Sequence, residues 1–222
     1  MRRQGMRLTL FVIIIAAAVL PARAEERPRY PFKSAVVVYK ISGTIQEGTQ
    51  TVFIDDHGRK MRTERDTALT ILGRTQKESI VEIDDGEWIY RIDLVKKTAE
   101  KAPSYSRIAR EMVGAMSPAQ KTAFEEIGRE LTRGHAVSGE VASKGKEKVL
   151  GRDCDLYEAM GMTTWLWNNL PLRKKSPSLG DMVQEAVELK VDVPIPPEKF
   201  LPPRGMKILD AGRVVDDIAP LR

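Results

Sequence analysis

The chain has 222 residues, with 36 lysines and arginines against 31 aspartates and glutamates. Four of the arginines and none of the acidic residues lie in the first 24 positions, so the rest of the chain has 32 basic residues against 31 acidic ones. This near-neutral balance removes the electrostatic basis for nucleic-acid binding, and the single cysteine, Cys154, excludes an intramolecular disulfide.

The first 24 residues have the organisation of a secretory signal peptide. A basic start is followed by an apolar run from Leu8 to Leu20 and by the small-residue cleavage motif Ala22-Arg23-Ala24. The apolar run is shorter than the roughly 20 residues that span a bilayer, although a retained anchor is the alternative interpretation. No cysteine near the cleavage motif offers a thiol for lipidation. We therefore expect a soluble periplasmic protein with no stable membrane anchor after cleavage.

Alternating apolar residues next predict antiparallel strands. Val37, Tyr39 and Ile41 alternate with polar or outward neighbours, the period of a strand with one buried face. Two Ile-Asp-Asp phrases, at 54–56 and 83–85, lead into glycine-containing stretches that are typical of hairpin turns.

The period becomes helical between about residues 104 and 134. Tyr105, Ile108 and Met112 fall on one helical face. In the stretch Ser117-Pro118-Ala119-Gln120, Ser117 is the expected N-cap of a second helix and Gln120 completes a capping box.

Strands return after the helices. Over residues 163–170 the pattern places Trp165 and Trp167 on one face, with Leu166 and Leu170 on the other. The inward residues of the last predicted strand are Val183, Val187, Leu189, Val191 and Val193. Prolines between 194 and 203 preclude a central strand there. No linker divides the chain, so we expect one domain over residues 25–209 and a flexible tail over 210–222.

Residues with catalytic or metal-binding chemistry are few and scattered. His57 lies in a predicted turn and His135 follows a helix end, which favours solvent-facing loop histidines over a metal site or a triad. The paired aspartates are explained by turn geometry, and Cys154 alternates inward as a buried thiol, with a reactive thiol as the alternative. We expect no catalytic residue, no metal ligand and no cofactor.

The remaining candidates are large aromatic and methionine side chains, which pack cores and also line cavities for apolar ligands. As candidate cavity residues they are Trp88, Tyr90, Met112, Phe124, Trp165 and Trp167.

The phrase from Val149 to Glu158, followed by the stretch from Thr164 to Leu172 with its alternating tryptophans, resembles the C-terminal strands of the outer-membrane lipoprotein-sorting carriers (the LolA/LolB-like fold). Three further stretches are similar, at 84–94, 188–193 and 200–206, and the resemblance covers about residues 34–209. The resemblance implies an α+β fold, an antiparallel incomplete β-barrel (half-barrel) curled around a small helical layer, with an apolar cavity between them. No residue here matches the carriers' own lipid-gating positions, so the resemblance does not extend to lipoprotein transport itself.

Three functions follow as hypotheses. The first is a non-catalytic periplasmic carrier of a lipid-like ligand or an acylated protein. The second is an envelope structural or regulatory, stress-sensing module that binds a protein partner at a sheet edge or at the proline-rich segment 194–203. The third, a hydrolase built on Cys154 or His57, lacks a partner residue visible in the sequence.

Overall fold

Residues 28–123, 143–159 and 161–210 are described by the computed structural model, which divides into a sheet unit and a helical unit. The sheet unit comprises Pro28–Ala102 and Ala142–Arg222, and the helical unit contains the segment that begins at Pro103. The predicted signal peptide, residues 1–24, and most of the predicted tail lie outside the described residues.

Twelve strands in the described residues form one open sheet that is antiparallel apart from a single parallel pair. In chain order the strands are β1 Ala35–Ser42, β2 Gln46–Asp55, β3 Lys60–Ile71, β4 Arg74–Asp84, β5 Trp88–Asp93, β6 Thr98–Pro103, β7 Ser143–Val149, β8 Arg152–Ala159, β9 Met162–Trp167, β10 Leu170–Ser176, β11 Met182–Val191 and β12 Ile208–Asp210. Their spatial order is β12-β6-β5-β4-β3-β2-β1-β11-β10-β9-β8-β7. The two end strands do not pair, so the predicted incomplete, unclosed sheet is confirmed.

The alternation read from the first strand is present in the structure. Val37, Tyr39 and Ile41 of β1 are buried, while Lys40 and Ser42 are exposed. Because β1 lies at the centre of the sheet, between β2 and β11, its inward residues form part of the largest core cluster.

Both predicted aspartate turns are also present. Asp56–Gly58 is a short 3₁₀ helix between β2 and β3. Between β4 and β5, Asp85 Oδ1 accepts hydrogen bonds of 2.9 Å from Glu87 N and 2.7 Å from Trp88 N. The carboxylate therefore replaces backbone partners inside the turn, as expected of an aspartate in this position.

The helical unit contains helix α1, Tyr105–Ala115, capped by Ser104, whose hydroxyl accepts a hydrogen bond from the Arg107 backbone N–H. Residues 118–123 begin a second helix. There Ser117 N donates to Gln120 Oε1 at 2.8 Å and Gln120 N donates to Ser117 Oγ at 3.4 Å, which confirms the predicted capping box.

Three features differ from the sequence pattern. In β11 the pairing with β1 shifts between Val38 and Tyr39, so that Ala186 faces Tyr39 and Val187 has no counterpart. Ala186 is buried and Val187 is 54% exposed, so the inward assignment of Val187 is wrong. A β-bulge adds one residue and reverses the alternation, which a strict period of two cannot predict.

The second difference concerns the tryptophan hairpin. Asn168 and Asn169 adopt positive φ angles of 49° and 65° in the turn between β9 and β10. Leu170 therefore begins a new strand, pairs with Trp167 and is buried in the same core cluster as Trp165. Its assignment to the face opposite the tryptophans is wrong, because the chain reverses direction before it.

The third difference is β12, which no sequence pattern indicated. Ile208–Asp210 pairs in parallel with β6, and Lys101 Nζ lies 3.4 Å from Asp210 Oδ2. Asp210, placed in the tail by the sequence, therefore belongs to the sheet.

Two core clusters stabilise the sheet unit. The larger contains buried residues of β1, β2, β7–β11 and the segment before β1, including Cys154, which has no exposed surface. The smaller consists of Val81, Ile83, Ile92, Ala99 and Phe200. Cys154 is inward, as predicted.

Candidate functional site

Trp165, the first of the candidate cavity residues, packs in the larger core cluster at 5% exposure. Its indole Nε1 donates a 2.8 Å hydrogen bond to Glu147 Oε2 on β7. The Arg173 guanidinium lies 5.2 Å from the centre of the Trp165 ring. The side chain thus has packing and polar partners within the sheet unit itself.

Trp167 lies two residues further along β9 and is partly buried against the same cluster. Its ring stacks on Phe32 with centroids 5.8 Å apart and planes 7° from parallel. The guanidinium of Arg152 lies 4.3 Å from the Trp167 ring centre. Cation–π and stacking contacts of this kind each contribute about 0.5–1.5 kcal/mol.

Trp88 and Tyr90 lie on β5, in another part of the sheet. Lys101 Nζ is 4.2 Å from the Trp88 ring centre, and Tyr90 packs against the smaller core cluster. The structure therefore divides the aromatic candidates between two regions, β9 and β5.

The two candidates from the predicted helices, Met112 and Phe124, are not part of the β5 or β9 aromatic groups in the described structure. Met112 lies on α1 and is 38% exposed, and Phe124 lies outside the described residues. A cavity lined by all six residues stays a prediction.

Arg173 of β10 connects three strands. Its Nη1 donates to Glu147 Oε1 at 2.9 Å and its Nη2 donates to Glu185 Oε1 at 2.5 Å. These hydrogen bonds, that to Glu185 foremost, raise the pKa of Arg173. Hydrogen bonds from Trp165 and then from Arg173 lower the pKa of Glu147, against the opposing effect of desolvation. Both carboxylates already accept hydrogen bonds from Arg173. This cluster therefore stabilises the sheet and does not present an unpaired charge to a ligand.

In the described part of the chain, Cys154 and His57 each contact a main-chain carbonyl oxygen: Cys154 Sγ lies 3.5 Å from that of Arg152. Burial raises the pKa of the Cys154 thiol, which keeps it in the unreactive protonated form. His57 Nδ1 lies 3.2 Å from the Tyr30 carbonyl oxygen and links the turn after β2 to the segment before β1. Across residues 28–123, 143–159 and 161–210, no group of three or more acidic, histidine or cysteine side chains is placed to hold a metal ion.

A shallow opening of about 390 Å³ lies beside the proline-rich segment, and we call it the proline groove. It is lined by Arg62, Pro196, Glu198, Lys199, Leu201, Pro202, Pro203 and Arg204. The prolines were visible in the sequence. Arg62 lies more than 130 residues earlier, and no sequence pattern predicted that it would lie beside them.

The proline groove is built on a short 3₁₀ helix, Pro197–Phe200, whose last residue is buried in the smaller core cluster. Arg62 Nη1 donates to the Lys199 carbonyl oxygen at 3.0 Å, and Lys199 Nζ donates to Glu64 Oε1 at 3.2 Å. The Lys199 ammonium also lies 4.4 Å from the centre of the Phe53 ring. These contacts hold the wall of the groove on β3.

Glu64 is the carboxylate that binds both cations of this wall, Arg62 and Lys199. Its carboxylate also accepts a 2.6 Å hydrogen bond from Arg62 Nε. Desolvation opposes ionisation of Glu64, but the hydrogen bonds from Arg62 and Lys199 outweigh it and lower its pKa. The carboxylate is therefore charged at neutral pH and neutralises only part of the positive charge around it.

A second opening, of about 750 Å³, lies at the tip of the β3–β4 hairpin. Leu72 is 98% exposed there and adopts a φ of 51°, a conformation that is rare for a leucine. Ile71 beside it is 55% exposed. The hairpin therefore presents two adjacent apolar side chains.

No helix in the described residues is long and apolar enough to cross a membrane.

Comparison with known proteins assigns no family. No family model matches the chain, and no curated protein matches it. A crystal structure of an uncharacterized conserved protein from Thermus thermophilus matches 81% of this chain and 91% of that chain, with a TM-score of 0.49 and 10% identity.

MucB is a further structural neighbour. Its crystal structure matches 93% of this chain, with a TM-score of 0.42 and 11% identity, and this chain covers 66% of it. The Pseudomonas aeruginosa MucA/MucB complex matches 91% of this chain and 63% of that chain, also at 0.42 and 11%. Such distant similarities assign no function to this chain, and its relation to the lipoprotein-sorting carriers stays a prediction.

Proposed function

We propose that this protein is an exported, non-catalytic binding module of the cell envelope, and that its ligand is an extended acidic segment of a partner protein. The observation that carries the proposal is the proline groove, an open surface with a mainly positive lining. Hydrogen bonds between Lys199 and β3 hold its wall in place before any ligand binds. A preformed surface limits the ordering cost of binding.

The charge of the groove favours an acidic ligand. Arg62, Lys199 and Arg204 supply three cations to its lining, and Glu198 is the one carboxylate in that lining. Glu64 neutralises part of the charge of Arg62 and Lys199, but Arg204 has no ion pair within the described part of the chain. Potential of this sign attracts acidic segments and rejects basic ones.

The shape of the groove favours an extended peptide. Three prolines stiffen its rim, and Leu201 is 60% exposed, so that it offers an apolar contact beside the cations. An open groove of this size accommodates a few side chains of an extended segment, whose remaining residues continue along the surface.

Binding can be tested by fluorescence anisotropy with two labelled twelve-residue peptides that share leucine and proline positions. One carries glutamate and the other lysine at the remaining positions. We expect saturable binding of the glutamate peptide alone. Leu201→Asp and Arg204→Glu should each weaken binding by at least about tenfold, since either removes a central contact.

Leu179→Asp is the matched control, because Leu179 is 56% exposed and lies outside the groove. Its affinity for the glutamate peptide should equal that of the unmodified protein. Equal binding of both peptides, or affinity unchanged by both groove variants, would contradict the proposal. A photo-crosslinker at position 201, compared with one at position 179, then tests whether a protein contacts the groove in cells.

The carrier hypothesis of the sequence analysis differs from this proposal in its ligand. Trp165 and Trp167, expected to line an acyl cavity, have packing partners within the sheet unit. The geometry therefore supports the groove more directly than an acyl cavity built on these two side chains.

A further inference from the structure

Strand β3 presents different charges to its two faces. Arg62 and Glu64 face the proline groove, whereas Arg65, by the alternation of the strand, lies on the other face. Arg65 pairs directly with Gln50 of β2, and Gln50 pairs with Tyr39 of β1. Directly paired residues of antiparallel strands share a face.

The same row of side chains continues to β10. Tyr39 pairs with Ala186 of β11, and Gln184, two residues earlier on β11, lies on the same face. Gln184 pairs with Lys174 of β10. One face of the sheet therefore has Arg65 at one side and Lys174 at the other, with Gln50, Tyr39, Ala186 and Gln184 in the row between them.

Neither cation has an acidic ion-pair partner among the described residues. Arg65 Nε donates a 3.1 Å hydrogen bond to Gln50 Oε1, which is neutral. Among residues 28–123, 143–159 and 161–210, no carboxylate lies within ion-pair distance of Arg65 or Lys174. The acids of β4 that share this face are Glu78 and Glu82, which pair with the threonines on either side of Arg65.

Of these two acids, Glu82 already lies 3.7 Å from Arg91 Nη1, and Glu78 is partly exposed on β4. Both are on the side of Arg65 remote from Lys174, because β4 follows β3 in the sheet. They do not lie between the two cations.

The two cations affect each other. Burial, and then the charge of Arg65, lower the pKa of Lys174. A partly buried ammonium that faces another cation is destabilised in its charged form. An anion placed between the two groups would offset both the desolvation and the repulsion.

We propose that the face between Arg65 and Lys174 binds the phosphate group of a small ligand. The planar guanidinium donates two parallel hydrogen bonds to neighbouring phosphate oxygens, and the ammonium binds as a point charge from the other side. Because Gln50 uses its oxygen towards Arg65, its amide nitrogen is left to donate. Four donor groups suit a tetrahedral anion better than a two-oxygen carboxylate.

This site is separate from the proline groove, since the two lie on opposite faces of β3. The proposal therefore does not depend on the proposed peptide-binding function, and its probes differ.

Isothermal titration calorimetry of the exported chain tests it with two probes, inorganic phosphate and dihexanoyl phosphatidylglycerol below its micellar concentration. Sodium chloride of matched ionic strength controls for screening. We expect saturable binding of at least one probe. Arg65→Gln and Lys174→Met should each weaken it by at least about tenfold, as expected for the loss of a charged hydrogen bond.

Lys40→Met is the matched control, because Lys40 is exposed and its position on β1, adjacent to Tyr39, directs it to the opposite face. Its affinity should be unchanged. Binding of phosphatidylglycerol alone identifies a lipid headgroup as the ligand, and binding of both probes identifies free phosphate or a simple phosphate ester. Absence of binding by both at millimolar concentration, or affinity unaffected by both site variants, overturns the proposal.

Thermal unfolding provides a second measurement that does not require the ligand to be known. Lys174→Met should leave the midpoint unchanged or raise it, because the variant removes an unpaired cation. Phosphate should raise the midpoint of the unmodified protein and of Lys40→Met, but not that of Lys174→Met. A midpoint lowered by several degrees in Lys174→Met would show that the ammonium has a counter-charge in the protein and overturn the proposal.

Discussion

Trp165 donates its indole hydrogen bond to the Glu147 carboxylate at 2.8 Å, and this contact joins β9 to the end strand β7. The intervening strand β8 supplies Cys154, which pairs with Glu147 across the ladder. A tryptophan expected to contact a ligand therefore stabilises the end of the sheet.

Replacement of Trp165 by phenylalanine should destabilise the protein by about 1–2 kcal/mol. The variant keeps an aromatic ring in the core but removes the N–H donor and part of the buried volume. Urea unfolding followed by circular dichroism measures the change. Glu147→Gln retains an oxygen acceptor for the indole and should cost less; an equally stable Trp165→Phe would contradict the assigned role.

Stability should fall at acidic pH in part through Glu147 and Glu64. Hydrogen bonds, which outweigh desolvation, lower the pKa of both carboxyls from their ordinary value of 4.5. A carboxyl with a lowered pKa in the folded state contributes stability above its unfolded pKa, and this contribution is lost as the pH falls through the folded value. Urea midpoints measured between pH 7 and 3 should decline below about pH 4.5.

The double variant Glu64→Gln/Glu147→Gln should show a shallower decline than the unmodified protein over the same range. Glu100→Gln is its control, because Glu100 is exposed on β6. Parallel pH profiles for all three proteins would be inconsistent with the shifts.

The bulge in β11 predicts opposite outcomes at adjacent positions. Ala186→Asp places a charge at a site with 2% exposure and should destabilise the protein by at least about 3 kcal/mol or prevent folding. Val187→Asp, at 54% exposure, should change stability by no more than about 0.5 kcal/mol. Urea unfolding distinguishes them, and the reverse order would return Val187 to the core.

Cys154 should be inert in the native protein. Its thiol is buried and its raised pKa keeps it protonated at neutral pH. Alkylation by iodoacetamide, followed by mass spectrometry, should be at least about tenfold slower in buffer than in 6 M urea, where the thiol is accessible. Equal rates would indicate that the strand pair β7–β8 opens readily.

Native mass spectrometry of the protein purified from its host cells compares the binding-module and carrier hypotheses. For a module that binds a protein segment at the proline groove, we expect a mass without an acyl-chain lipid. Lipid extraction of the same sample is the control for ligands lost during ionisation. A stoichiometric acylated ligand would favour the carrier hypothesis and return the aromatic residues to consideration as a binding site.

Much of the local structure was predictable because it depends on neighbours in the chain. The buried face of β1 follows from its period of two, and the capping box follows from Ser117 and Gln120, three positions apart. The Asp85 turn likewise forms hydrogen bonds within three residues. Interactions of this range are set by residue type and spacing alone.

The candidate sites were not predictable in the same way. The proline-rich segment was visible, but Lys199 meets Glu64 across 135 positions and Arg62 across 137. The positions of Arg65 and Lys174 on one face follow from the order of five strands and from a bulge in one of them. A bulge adds a single residue and so reverses which side chains face inward. The alternation of apolar and polar residues does not predict where such a bulge occurs.

The sequence by itself therefore predicts export, and it determined the strand and helix periods and the inward position of Cys154. The tertiary structure alone decided which strands are neighbours, which aromatic side chains pack in the core, and which cations of the described strands have no acidic partner there. The physical reason is that burial and electrostatic energy depend on distances in space. For residues such as Arg65 and Lys174, 109 positions apart in the chain, only the completed sheet sets that distance.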